Sequence, residues 1–223
     1  MMKIEDFYQF KDQALLEQSF THRSFVAENP GHQDNQRLEF FGDAVIQLAS
    51  TRYLFDRYPD CQEGDLTKMR SALTRGTTLA LLAQSIDLGS KLRRGKGEER
   101  SGARQREAVL EDAFEALCGA ICLDSDFRTA EEVYLAVFEK NFSDPQEMVA
   151  VQNPKGKFQE LIQKRFHELP CYELIEERGP EHKRHYVVEV SLRGKIMARG
   201  EGVSLKKAEM AAARIALDLL SKP

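Results

Sequence analysis

A change of hydrophobic pattern near residue 150 constrains the fold of this chain more than any other feature of its sequence. Up to position 142 the apolar residues recur with helical spacing, and almost no stretch alternates as a strand would. After position 154 the pattern predicts one helix, three short strands and a final helix. We therefore expect an all-α domain over residues 1–142, a linker over 143–152, and a small α+β domain with the order α-β-β-β-α over 153–223.

The periodicity and the glycines and prolines between the periodic stretches predict the individual elements. Helices of the first domain are expected at about 12–20, 36–57, 64–74, 76–86, 107–124 and 129–141, with an exposed loop at about 93–106. Helices of the second domain are expected at about 155–168 and 204–220, on either side of strands at about 171–178, 185–192 and 195–201. Asn153 followed by Pro154 is typical of a helix start. The alanine-rich last helix can lie close to a sheet because its side chains are small.

The charge is divided unequally between the two predicted domains. Residues 1–150 contain 18 Lys and Arg against 26 Asp and Glu, a net charge of −8, whereas residues 151–223 contain 14 against 10, a net charge of +4. An acidic half joined to a basic half favours cation binding in the first and polyanion binding in the second, with an ordinary solvated surface as the alternative.

Two carboxylates share one face of the predicted helix 36–57. Glu39 and Asp43 are four residues apart, about 6 Å along the helix axis, and apolar residues such as Phe41 and Val45 surround them. Acids beside packed surface repel each other unless a cation joins them, and hard oxygen ligands suit Mg²⁺ or Mn²⁺. From this helix alone, a solvated acidic stripe remains an equal alternative.

A second acidic pair lies in the predicted helix 107–124. Asp112 and Glu115 are three residues apart and share a face, whereas Glu111 lies about 100° round the helix and is expected to be exposed. If the two helices pack with their acidic faces together, four carboxylates converge. That is the composition of a phosphodiesterase site in which two metal ions hold the attacking and leaving oxygens. Spacing alone does not show that the helices meet.

Four segments of the chain resemble the motifs of ribonuclease III. The segment NQRLEFFGDAV at 35–45 is similar to the signature of that family, usually written N-E-R-L-E-F-L-G-D-S. The segments EGDLTKMRSALTRGTTLA at 63–80, LEDAFEALCGA at 110–120 and FTHRS at 20–24 resemble further motifs in the family's order. The resemblance extends over essentially the whole chain. It implies a homodimeric endoribonuclease that cleaves double-stranded RNA, in RNA processing such as that of ribosomal RNA precursors and messenger RNA.

The resemblance implies roles for the acids. Glu39, Asp43, Asp112 and Glu115 match the family's metal-binding residues, with Asp43 and Glu115 as catalytic residues. The implied cofactor is Mg²⁺, with Mn²⁺ as a substitute. The implied reaction is an in-line attack by metal-activated water that leaves a 3′-hydroxyl and a 5′-phosphate, so that no Ser, His or Cys nucleophile is needed.

Other positions match the surroundings of the family's active site. Glu63 matches an acid that reaches toward the active site from the partner subunit, although it also suits the first turn of a helix. Phe40 matches an aromatic side chain that inserts into the partner subunit, with a core phenylalanine as the alternative. His22 and Arg23, in the FTHRS segment, are expected to form structural hydrogen bonds.

Gln36 departs from the family pattern, which has Glu at this position. The amide keeps an acceptor oxygen but has no charge, so weaker metal binding is expected. Gln36 therefore leaves an alternative function open, that of a double-stranded-RNA-binding protein with an attenuated nuclease site. A second rival, a metal-dependent phosphohydrolase of small molecules, leaves the basic domain unexplained.

The second domain resembles the double-stranded-RNA-binding domain, which reads duplex shape through 2′-hydroxyls and phosphates. Gln159 and Glu160 match residues that contact the minor groove, and His182 lies in the turn that matches a loop entering a second minor groove. Lys206 and Lys207 open the last helix and are expected to bind phosphates. Lys155 and Arg184 are weaker candidates, and ordinary surface charge is the alternative for each.

The chain is expected to be cytoplasmic, without a membrane-spanning segment. No apolar run approaches the ~18 residues that a span requires, and the first residues include acids where a signal peptide would be apolar. The four cysteines have no C-x-x-C spacing, which favours free thiols over a zinc site or a disulfide.

Overall fold

The computed structural model describes residues 2–100, 106–180 and 183–221, and its chain divides into two compact units. The first unit is Met1–Pro145 and the second is Gln146–Pro223. The expected fold is confirmed, because a helical unit is followed by a small three-stranded sheet with flanking helices. None of the helices within these ranges is long and apolar enough to cross a membrane.

The regular elements among the described residues of the first unit are helices, apart from one isolated β-bridge between Thr21 and Arg93, and they follow one short 3₁₀ turn at Ile4–Asp6. They are α1 Gln13–Ser19, α2 Arg23–Glu28, α3 Gln36–Arg57, α4 Glu63–Leu73, α5 Gly76–Ser85, α6 Leu88–Lys91, α7 Lys96–Arg100, α8 Glu107–Asp124 and α9 Phe127–Asn141. The six long helices agree with the expected positions. The short helices α2, α6 and α7 were not expected, because one or two turns give too little periodicity to detect.

Helix α10, Pro145–Gln152, occupies most of the stretch that the sequence predicts as a linker. The residues Ser143, Asp144 and Pro145 predict an irregular segment. Proline is equally typical of the first position of a helix, where its missing N–H costs no hydrogen bond. The boundary between the two units falls at the start of this helix.

Helix α8 forms the centre of the first unit. Every residue from Ala113 to Ile121 is buried, and α1, α3, α5 and α9 pack around the helix. A helix that is buried on all sides must be apolar on all sides, which makes the carboxylate of Glu115 exceptional in this position. The thiol of Cys118 is also buried here, and all four cysteines are free.

The second unit packs two helices against an antiparallel sheet of strand order β1-β2-β3. Its elements are α11 Pro154–Phe166, β1 Cys171–Arg178, β2 His185–Leu192, β3 Lys195–Gly202 and α12 Leu205–Ser221. The side chain of Asn153 caps α11 by accepting a hydrogen bond from the Gly156 amide at 3.1 Å, as expected. Phe158 and Ile162 of α11 and Val190 of β2 are fully buried in the core of this unit.

Small residues bring α12 into contact with β3. A Cβ atom added to Gly200 would overlap the backbone nitrogen of Ala212 and lie 2.5 Å from the carbonyl oxygen of Ala208. Ala208 and Ala212 are themselves fully buried. The expectation that an alanine-rich helix lies close to the sheet is therefore confirmed, and the sheet contributes a glycine to the same contact.

Candidate active site

Helices α3 and α8 cross with their backbones in contact at two glycines. A Cβ atom on Gly42 would overlap the carbonyl oxygen of Glu115 and lie 3.0 Å from the amide nitrogen of Gly119. A Cβ atom on Gly119 would overlap the carbonyl oxygen of Leu38. Only glycine leaves room for this approach. Sequence reasoning missed both glycines, although a glycine inside a long helix is a signal of close packing.

This crossing brings the two acidic pairs together. Glu39 and Asp43 flank the crossing on α3, and Glu115 lies at it on α8, with Asp112 one turn earlier. The charges of Asp43, Glu39 and Asp112 all act on Glu115, which is 9% exposed. The sequence could not establish that the two helices meet at their acidic faces, and the structure shows that they do.

Burial, reinforced at Glu115 and Glu39 by the charges of other acids, raises the pKa of three acids of this cluster. Burial, reinforced first by the charge of Asp43, raises the pKa of Glu115 to about 8. Burial and the charge of Asp112 raise the pKa of Glu39. Burial also raises the pKa of Asp112, although the positive charges of His22 and Arg23 act in the opposite direction. Such a cluster gains free energy by taking up a cation.

The carboxylates do not close around a common point. In the part of the chain that the structure describes, no three Asp, Glu, His or Cys side chains are placed closely enough to hold a metal ion as they stand. Asp43 is exposed and Glu39 and Asp112 are half-buried.

His22 has a structural position at the edge of the cluster. Its Nδ1 accepts a hydrogen bond from the Ser24 amide at 3.2 Å and so caps α2. The Ser24 hydroxyl lies 2.8 Å from the same nitrogen and accepts a hydrogen bond from the Gly95 amide at 3.0 Å. Burial lowers the pKa of His22. The expected structural hydrogen bonding is thus observed for His22, whereas Arg23 acts on the acids through its charge.

The expectation that Glu111 is simply exposed is wrong. Its side chain is half-buried and lies against Gly76, the first residue of α5, where an added Cβ atom would be 2.6 Å from Glu111 Oε1. The residue lies 100° from Asp112 but four residues from Glu115, so it shares the face of Glu115. Its charge acts on Glu115 and Glu39.

Gln36 and Phe40 lie on another face of α3. Both line a groove of about 1040 Å³ together with Leu15, Phe41 and Leu123, and Phe40 is 83% exposed. Phe40 is therefore not a core residue of its own unit. Because Gln36 is three residues from Glu39, it is expected to face the same pocket as Glu39. It is also four residues from Phe40, and the structure places it in the groove beside Phe40.

Glu63 lies at the start of α4, separate from this groove. It is exposed, and its Oε1 accepts a hydrogen bond from the Thr67 hydroxyl at 3.0 Å. This is the arrangement of an ordinary acid in the first turn of a helix.

The predicted RNA-contacting side chains of the second unit lie at its surface. Gln159 and Glu160 are exposed on α11, and Lys206 and Lys207 are exposed in the first turn of α12. His182 lies outside the described residues.

The weaker candidates Lys155 and Arg184 each form an ion pair with an acid of the second unit. Lys155 Nζ is 2.5 Å from Glu209 Oε2 and 4.7 Å from the centre of the Tyr172 ring. Arg184 Nη1 is 2.6 Å from Glu177 Oε1. These partners neutralise both cations, which argues against either as a main phosphate contact.

Comparison with known proteins gives consistent matches over both units. Residues 12–141 match a family model described as Ribonuclease-III-like, and residues 154–220 match one described as a double-stranded RNA binding motif. The chain is 44% identical over 213 residues to ribonuclease 3 of Pseudomonas putida, covering 94% of this chain and 90% of that protein. It is 42% identical over 214 residues to ribonuclease 3 of Oleidesulfovibrio alaskensis, covering 96% and 93%.

A solved structure resembles the first unit. It is the nuclease domain of ribonuclease III from Campylobacter jejuni, which was described for structural flexibility in the region involved in its dimer formation. The TM-score is 0.60 at 39% sequence identity, covering 63% of this chain and 97% of that domain.

Proposed function

Since the chain belongs to the ribonuclease III family of double-strand-specific endoribonucleases, we propose that it hydrolyses duplex RNA at the acidic cluster between α3 and α8. The observation that carries this proposal is the glycine crossing, which sets Glu39, Asp43 and Asp112 around the buried Glu115. A buried acid among three others is costly to the fold and calls for a cation as ligand.

The donor set fits Mg²⁺, with Mn²⁺ as a substitute. All four side chains offer hard carboxylate oxygens, and the site contains no thiolate. Within the described ranges, none of the four forms a salt bridge with Lys or Arg. Glu39, Asp43, Asp112 and Glu115 would hold the metal.

The four acids have different roles because they differ in burial. Bound Mg²⁺ supplies the positive charge that attacking water and the leaving ester oxygen require. Glu115 fixes the inner end of the site because it lies against the helix crossing. Asp43 is exposed and faces solvent, from which water and the phosphate backbone arrive. In this proposal Asp43 and Glu115 are the catalytic residues, and the products carry a 3′-hydroxyl and a 5′-phosphate.

The second unit binds the RNA duplex in this proposal. Lys206 and Lys207 are exposed at the start of α12, where the helix dipole adds to their charge toward phosphates. Gln159 and Glu160 contact one minor groove, and His182 contacts a second one. The net charge of +4 over residues 151–223 supports this role.

The first unit forms a homodimer in this proposal, through Phe40 and the adjoining groove. An aromatic ring that is 83% exposed beside a partly apolar groove suits a two-fold contact, in which each copy provides both the ring and the groove. Gln36 would lie at that contact, and Glu63 would approach the acidic site of the other copy. The proposed cellular location is the cytoplasm, and the four free cysteines, one of them the exposed Cys171, suit a reducing compartment.

Cleavage of a plain RNA duplex in the presence of Mg²⁺ tests the proposal. Glu115→Gln should abolish cleavage while RNA binding persists, because the change removes a metal ligand of the first unit alone. Glu107→Gln is the matched control, since Glu107 is an exposed acid two turns earlier on the same helix. Cleavage by Glu115→Gln at more than a few per cent of the parent rate would show that the site is assigned wrongly.

A further inference from the structure

A fifth acid, Glu111, lies beside the proposed metal ligands and occupies space that a glycine of another helix leaves open. Gly76 begins α5, and a Cβ atom at that position would overlap Glu111 Oε2 and lie 2.6 Å from Oε1. The carboxylate therefore occupies the space that a side chain at position 76 would fill. Any larger residue would have to displace it.

The direction of Glu111 follows from its place on α8. Residues four apart on a helix have their Cβ atoms about 6 Å apart on one face, so Glu111 and Glu115 are neighbours. The charges that act on Glu111 are those of Asp112, Asp43 and Glu107, and all are negative. In the described part of the chain Glu111 forms neither a salt bridge nor a side-chain hydrogen bond.

The carboxylate of Glu111 lies next to the first residue of α5. Arg75, the residue before that helix, provides no side-chain cap, and in the described residues no amide of the first turn donates a hydrogen bond to Glu111. The oxygens of Glu111 are therefore available to accept hydrogen bonds from other groups. The charges of Asp112 and Asp43 act on Glu111 from the acidic cluster.

We propose that Glu111 is a positioning residue of the site, which accepts hydrogen bonds from the water around the bound metal, and that Gly76 leaves the space in which its carboxylate lies. This inference rests on the proposed function, because it assumes that a metal binds at Glu39, Asp43, Asp112 and Glu115. Groups that orient the surroundings of a metal in this way commonly change its affinity by tenfold or more when they are removed.

Titration of the full chain with Mn²⁺ alone, without RNA, tests the role of Glu111. The free ion is measured by electron paramagnetic resonance. Glu111→Gln should weaken Mn²⁺ binding about tenfold. Gly76→Ala should weaken it similarly, because the new methyl group displaces the carboxylate. The two changes together should weaken binding no more than either one alone. Glu107→Gln, which removes a nearby exposed charge, should change affinity less than twofold.

The maximal rate of cleavage and its dependence on Mg²⁺ distinguish a positioning role of Glu111 from a structural one. At saturating Mg²⁺ the Glu111→Gln protein should reach the parent rate on duplex RNA within about twofold, with a half-saturating Mg²⁺ concentration raised about tenfold. Unchanged affinity in Glu111→Gln, beside a large loss in Glu115→Gln, would overturn the role of Glu111 and leave the proposed function standing. Unchanged affinity in Glu115→Gln as well would overturn the proposed function itself.

Discussion

Replacing Glu115 with glutamine should stabilise the metal-free protein, although it removes the central acid of the site. The pKa of Glu115 is raised from 4.5 to about 8, mainly by burial. Because the pKa of this carboxyl is higher in the folded protein than in the unfolded chain, its contribution to the free energy of unfolding is fully present below pH 4.5. That contribution is lost as the pH rises toward 8. At pH 7 this loss amounts to about 3 kcal/mol, and solvent screening reduces it to roughly 2–3 kcal/mol. Glutamine has nearly the same shape and has no charge to desolvate.

The assay is urea unfolding of both proteins in EDTA, followed by circular dichroism because the chain lacks tryptophan. At pH 4 the two proteins should have nearly the same free energy of unfolding. At pH 7 the Glu115→Gln protein should be more stable by about 2–3 kcal/mol, and the difference should grow toward pH 9. Added Mg²⁺ should then stabilise the parent protein in proportion to occupancy and leave the glutamine variant unchanged.

One result would refute this reasoning directly. If Glu115→Gln in EDTA at pH 9 is no more stable than the parent protein, the acid is not strained by burial and repulsion. The control is Glu107→Gln, whose exposed side chain should shift the free energy of unfolding by less than about 0.5 kcal/mol.

Three further predictions concern RNA binding, assembly and metal requirement. Lys206→Ala should weaken binding of all RNA duplexes alike and lower the slope of log K against log salt by about one; a sequence-selective loss would argue against phosphate contact. Phe40→Asp should give monomers with little activity in sedimentation equilibrium and cleavage assays, whereas a variant that remains dimeric would place the interface elsewhere. Because the structure places Gln36 in the groove beside Phe40 and not among the four acids, Gln36→Glu should change the Mg²⁺ concentration for half-maximal cleavage only slightly, at a similar maximal rate. A parent protein that stays inactive at saturating Mg²⁺ and gains activity with Gln36→Glu would favour the attenuated binder.

The sequence by itself determined the long elements and the residues that carry charge on each of them. Helix α3 spans Gln36–Arg57 and strand β2 spans His185–Leu192, as the periodicity predicts. Periodicity is a local property, since it records which side of a segment is buried without specifying what covers it. The same local information placed Glu39 with Asp43 and Asp112 with Glu115, each pair on one helical face.

Tertiary structure alone decided what each face meets. Gly42 and Gly119 bring α3 and α8 into backbone contact, and this contact makes a single site of two acidic pairs. The same packing half-buries Glu111 against Gly76. Gln36 is three residues from Glu39 and four from Phe40, so helical spacing allows it to lie beside either one. Which neighbour it joins depends on how the helices pack. Such contacts join residues far apart in the chain, and neither spacing nor composition contains that information.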